Sequence, residues 1–242
     1  NSQTFKKYIN SGSLQEGATA VLSHSSGDYF LGGFYNDSAM VARLDSTGAI
    51  LWMKSLDFGL NTDYISTMKF TSSGHIVGVG TGINSSNIQS YYGFVFKIDL
   101  NGNPIWKRII KRNNRLTALR GVEEKSNGNY LCSGHFFNTN TITNAFVLEL
   151  DDLNGTMLWD STYYQSTMNN GFDEDFNDLT FSPVNNSYYT AGRYATGNGG
   201  PLTYRPTLTM FDSLGGRQWT KVYNYPSGAS SGRLYANGVV VD

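Results

Sequence analysis

The chain has 242 residues, 15% of them charged, and a formal net charge of −1, which excludes the basic stripe of an electrostatic nucleic-acid binder. No apolar run approaches the ~20 residues that cross a bilayer, so neither a membrane-spanning segment nor a signal peptide is expected. The single Cys132 cannot form an internal disulfide, and within the apolar stretch 130–134 it reads as a small buried thiol.

In chain order, residues 5–9 read as a strand and residues 18–23 as the next. A four-strand unit then recurs. A short polar turn falls at residues 25–28, 72–75, 126–129 and 184–187, and each is followed by a strand ending in glycine: 29–33, 76–80, 130–134 and 188–192. After a connection of varying length comes a strand with period-2 alternation, at 40–44, 94–98, 146–150 and 207–211. One position of that strand is charged in three copies (Arg43, Lys97, Glu149), which predicts a wet face. The basic residues within 107–115 read as a solvated loop.

Each unit closes on one phrase, Asp-x-x-Gly-x-x-x-Trp, which holds all four tryptophans. Its copies are Asp45, Gly48, Trp52; Asp99, Gly102, Trp106; Asp152, Gly155, Trp159; and Asp212, Gly215, Trp219. Asp is expected to accept backbone amide hydrogen bonds in an Asx-type turn, and Gly to supply the φ > 0 position that closes a bulged hairpin. Trp supplies apolar surface to the next unit, with an indole N–H that needs a partner where buried. In the third copy the alternation points to Asp151 rather than Asp152, which leaves open an inserted residue or a shifted strand.

Four strands in roughly 50 residues is the period of a propeller blade. The expected class is all-β: a β-propeller of four-stranded antiparallel blades. The repeats run at roughly 28–74, 75–128, 129–186 and 187–242, with a partial blade at 4–27. Residues 234–241 read as the first strand of a further blade. About four and a half blades are then present in a single domain, and unpaired terminal strands are an edge liability. The chain is thus expected to be part of a longer one, in a ring of six to eight blades.

The pattern of apolar strand, Gly, loop, apolar-Lys-apolar-Asp, turn Gly and Trp, clearest at residues 94–107, resembles repeats of secreted Bacteroidota β-propellers carried by the type IX secretion system. That resemblance covers essentially the whole chain. It implies a secreted or cell-surface location and secretion machinery as a partner. A second likeness is to Asp…Gly…Trp propellers that bind pyrroloquinoline quinone or act in outer-membrane assembly. Those place one more residue between Asp and Gly, as only Asp151 and Gly155 do here. The sialidase Asp-box has a tighter Asp–Gly spacing, and none of these likenesses supplies a catalytic set.

Variable connections on a rigid scaffold are where binding residues sit. They fall at 35–39, 82–92, 136–144 and 194–205 within units, and at 56–63, 110–117, 164–175 and 224–232 between them. Candidate ligand-binding rings are Tyr35, Tyr91, Tyr92, Phe137, Tyr194 and Tyr204, which suit sugar faces and protein hot spots alike or else pack the loops themselves. Asp173, Asp175 and Asp178, with Glu174, form the candidate Ca²⁺ site. Asp175 also aligns with Glu16 and Asp63 and reads first as a repeated structural acid. No zinc constellation, P-loop, Rossmann fingerprint or nucleophile elbow is present, and no cofactor other than Ca²⁺ is implied.

Three functions remain open. The first is a non-catalytic scaffold that binds glycan or cell-envelope protein through its variable loops. The second is a carbohydrate-active hydrolase or lyase, for which Asp173, Glu174 and Asp175 are the available carboxylates. The third is a structural spacer in a large adhesin.

Overall fold

The structure, a computed structural model, describes residues 16–84, 91–111, 116–139, 142–163, 174–196, 203–224 and 236–240. Among them are sixteen strands and no helix, in four antiparallel four-stranded sheets. The chain divides into two compact units, Asn1–Ile110 and Lys111–Asp242, each holding two sheets.

In the first unit, β1 (Glu16–Ser23), β2 (Tyr29–Tyr35), β3 (Ser38–Leu44) and β4 (Ile50–Leu56) pair in chain order. So do β5 (Thr62–Phe70), β6 (Ile76–Ile83), β7 (Tyr91–Ile98) and β8 (Pro104–Ile110). In the second unit the third sheet holds β9 (Thr117–Glu124), β10 (Tyr130–Thr139), β11 (Ile142–Leu150) and β12 (Met157–Tyr163). The fourth holds β13 (Glu174–Ser182), β14 (Ser187–Thr196), β15 (Thr203–Phe211) and β16 (Arg217–Val222). Each sheet thus begins one strand earlier than the sequence repeat at 28–74 and its successors. Residues 5–9 lie outside the described part. Residues 236–240 form no strand and lie along β13, with Asn177 Nδ2 donating to Ala236 O (3.1 Å) and Val239 N to Asp178 (3.0 Å).

The repeated phrase folds as its chemistry predicts. Asp45 Oδ1 accepts from the amides of Thr47 and Ala49, Asp99 Oδ1 from Asn101 and Asn103, and Asp212 Oδ1 from Leu214 and Gly216. Gly48, Gly102, Gly155 and Gly215 take φ of 79, 75, 70 and 87°. In the third copy Asp151 does this work, accepting from Asn154 and Thr156, while Asp152 takes the Tyr130 hydroxyl. Trp159 still pairs with Glu149, as Trp52 does with Arg43, Trp106 with Lys97 and Trp219 with Met210. The extra residue is therefore an insertion in the turn, and the strand is not shifted.

That pairing corrects the expected wet face. Lys97 and Glu149 are only 4% and 5% exposed, because the charged residue lies directly across the strand pair from a tryptophan. Glu149 accepts from Lys125 Nζ (2.5 Å), Asn129 Nδ2 (2.7 Å) and Trp159 Nε1 (2.8 Å). Arg43 pairs with Asp28 at 2.5 Å, with its guanidinium over the Phe30 ring.

In the first unit Phe30, Val41, Ile65, Met68, Phe94 and Phe96 share one buried cluster between the two sheets. In the second, Leu131, Val147, Phe176, Leu179, Tyr188 and Phe211 do the same. Each fully buried side chain of this size contributes about 1.5–3 kcal/mol. Cys132 is buried, and its environment pushes the thiol well above the ordinary range.

Candidate binding cleft

The second strands do not end at their glycines, as the sequence suggests, but run two to five residues further. The glycines pair with the third strand at a fixed register: Gly33 with Met40, Gly80 with Phe94, Gly134 with Phe146 and Gly192 with Thr207. Two residues on, the equivalent positions are Ala42, Phe96, Leu148 and Thr209. Side chains two apart on a strand share a face. The fourth sheet therefore sets two threonines where the second and third sheets set two large apolar side chains. Missing volume and added hydroxyls fall at one place.

A shallow, open cleft lies there, between the third and fourth sheets. Tyr163 and Ala145 form its wall on the third sheet. Glu174, Tyr194, Thr207, Thr209, Thr220 and Arg217 face it from the fourth. Thr209 Oγ1 and Thr220 Oγ1 share a hydrogen bond of 3.0 Å, and Tyr163 donates its hydroxyl to Gly215 O at 2.8 Å. Burial raises both the Tyr163 and Tyr194 phenols above their ordinary range.

Beside the cleft lies a charged knot. Asp175 is 3% exposed, forms an ion pair with Arg193, and has its other oxygen 3.6 Å from His135 Nδ1. The Arg193 guanidinium covers the Tyr204 ring, with Cζ 4.8 Å from the centroid. His135 and Arg193 follow the register glycines Gly134 and Gly192, where the other sheets carry Phe34 and Thr81.

The predicted ring residues scatter over both units. Tyr35, which closes β2 before a two-residue turn at Asn36 and Asp37, packs against Met40, Ala42 and Leu44. Tyr91 and Tyr92 open β7, half-buried and paired with Ile83 and Gly82. Phe137 meets His135 edge-on at 6.2 Å. Only Tyr194 lines the cleft, and Tyr204 lies under Arg193. Phe137, Tyr194 and Tyr204 stand on strands, because the β10–β11 and β14–β15 pairings run on to Thr139–Ile142 and Thr196–Thr203. The connections expected at 136–144 and 194–205 are accordingly shorter than the sequence predicts.

Of the candidate Ca²⁺ ligands, Asp173 lies outside the described residues. Asp175 is held by Arg193, and Asp178 accepts from the amides of Leu179 and Val239. Bulges at equivalent points of β1, β5, β9 and β13 set the true alignment: Glu174 stands with Glu16, Asp63 and Thr117. Asp175 is one residue further, level with Gly17, Tyr64 and Ala118, so it is not the repeated acid. His135, Arg193, Thr207, Thr209 and Arg217 escape a motif search because none belongs to a motif. Their signal is substitution at a register position, which needs the strand pairing to be known.

No protein-family model matches the chain, and no curated protein matches it. Among solved structures it is similar to an endo-arabinase from Bacteroides thetaiotaomicron, at 12% identity and a TM-score of 0.57, covering 87% of this chain and 82% of that one. The chain has the β-propeller fold. It is also similar to a polysaccharide lyase, an ulvan lyase bound to -[GlcA(1-4)Rha3S]-, at 11% identity and a TM-score of 0.50. There it covers 84% of this chain and 56% of the lyase, little more than half that protein's length. Among the described residues no helix is long and apolar enough to cross a membrane.

Proposed function

We propose that this propeller is a secreted or cell-surface scaffold that binds carbohydrate, without turning it over, in the cleft between its third and fourth sheets. The observation that carries this reading is the exchange of large apolar side chains for Thr207 and Thr209 at positions that Phe94, Phe96, Phe146 and Leu148 fill elsewhere. The exchange gives up apolar packing volume, and with Thr209 bonded to Thr220 it leaves a polar wall that suits a polar occupant. Hydroxyls beside the Tyr163 and Tyr194 rings match a polyhydroxylated ligand with apolar ring faces. An endo-arabinase and an ulvan lyase use the same fold, and the repeat's resemblance to type IX cargo supports export as the route to such ligands.

Thr207→Phe tests it, since the third sheet holds Phe146 at the same register. Sugar binding, followed by saturation-transfer NMR, is expected to vanish while the thermal transition stays cooperative. Retained binding in this filled variant would overturn the reading.

A further inference from the structure

Resting on that reading, we infer that the cleft selects an acidic sugar, a pyranose bearing a carboxylate, with Arg217 as the carboxylate anchor. Three departures from the repeat converge on this space. Two are Thr207 and Thr209, and the third is Arg217 itself. It pairs with Phe211 at the register where Ile50, Pro104 and Met157 pair with Leu44, Ile98 and Leu150. The other three sheets thus begin their outer strand with an apolar residue at this point, and only the fourth begins it with a guanidinium.

Arg217 lines the cleft with its Cζ 5.8 Å from the centroid of the Tyr163 ring, and among the described residues it meets no carboxylate. Stacking on the ring holds the planar fork in place. Its donors are left for a ligand, and a guanidinium matches a carboxylate in paired hydrogen bonds that a neutral hydroxyl cannot equal. Thr207, Thr209 and Thr220 then face the sugar hydroxyls, and Tyr194 closes the same wall. Two acids stand near: Asp175 is already held by Arg193, and Glu174, which also lines the cleft, sits at the Tyr194–Arg205 end of the sheet, six residues along β15 from the Phe211 that pairs with Arg217.

The test titrates the 242-residue chain at low salt with glucuronate and galacturonate, with glucose and galactose, with acetate, and with a galacturonate tetramer. Charge-assisted hydrogen bonds of about 1.5–3 kcal/mol correspond to roughly tenfold or more in affinity. Uronates are therefore expected to bind at least ~tenfold tighter than their neutral counterparts. Arg217→Gln should erase the preference and leave weak neutral-sugar binding, while Arg217→Lys keeps the charge, loses the fork and falls between. Comparison of tetramer and monosaccharide tells a chain end from a free sugar, and preference for either over neutral sugar supports the inference. Equal binding of uronates and neutral sugars overturns the inference and leaves the carbohydrate reading standing. Acetate binding as tightly as the uronates shows a bare anion contact and overturns it too. No sugar binding at all removes the reading and this inference with it.

Discussion

The indole of Trp52 lies on Gly102: a Cβ added to that glycine would stand 2.8 Å from the ring. Trp159 lies on Gly215 in the same way. The Trp of one sheet thus seats on the turn glycine of the next sheet within its unit, so one phrase supplies both the ring and its seat.

This contact separates two roles of glycine. Gly102 and Gly74 share a φ of +75°, but nothing lies within 4 Å of a Cβ at Gly74. Gly74→Ala should cost about 1 kcal/mol, the backbone penalty alone. Gly102→Ala adds a clash with the ring and should cost about 2–4 kcal/mol. Urea midpoints of the two variants measure the difference, and equal midpoints would show that Trp52 does not need the bare backbone.

Asp63 predicts a pH effect of known sign. It is 1% exposed at the start of β5, and burial, reinforced by Asp57, raises its carboxyl to about 6, against weaker pulls from the Phe58 amide and Lys107. The folded value is above the unfolded one, so this group's contribution is best below the unfolded value and is lost as pH rises through about 6. Asp63→Asn removes the term. At pH 7 the variant should be more stable than the parent by up to about 3 kcal/mol, and the gap should close by pH 4. Denaturant curves at both pH values check this; a gap that is independent of pH would refute it.

Glu149 carries the opposite sign. Burial alone would raise it, but hydrogen bonds from Lys125, Asn129 and Trp159 outweigh burial and hold it below the ordinary carboxylate range. Its stabilisation is present above the unfolded value and lost as pH falls through the lower folded one. Glu149→Gln leaves Lys125 buried without its counter-charge and should cost about 3–5 kcal/mol at pH 7. The cost should shrink under acid, and the double change to Met at both positions should recover most of it at pH 7.

Asp45, Gly48 and Trp52 are legible in the sequence because their conformations are local: an Asx turn, a positive φ and a hairpin bulge involve residues within eight positions. Even the third copy's Asp151 follows from alternation. Glu149 is misread because alternation reports which face a residue shares, and the tryptophan covering that face comes from the neighbouring strand. Asp175 is aligned with Glu16 and Asp63 for a similar reason: strand bulges, as at Phe176 and Asp178, set register through pairing, which a linear comparison does not count. The cleft is illegible because Thr207, Thr209 and Arg217 are ordinary strand residues until their equivalents in the other sheets are known.

The charged knot beside the cleft yields an asymmetric prediction. Asp175 is 3% exposed, whereas the Arg193 side chain is 25% exposed and rests on Tyr204. Arg193→Met leaves a buried carboxylate without its cation and should cost about 3–5 kcal/mol. Asp175→Asn removes the buried charge itself, and the quarter-exposed Arg193 it leaves behind keeps its stacking on the Tyr204 ring and its reach to water. It should therefore cost less, within about 1–2 kcal/mol. His135→Gln, which gives up the 3.6 Å contact with Asp175 and the edge-on packing on Phe137, should cost under about 1 kcal/mol. Thermal melts of the three variants give the order directly. A melt in which Asp175→Asn is the worst of the three would mean that the carboxylate, rather than its pairing with Arg193, organises this end of the fourth sheet.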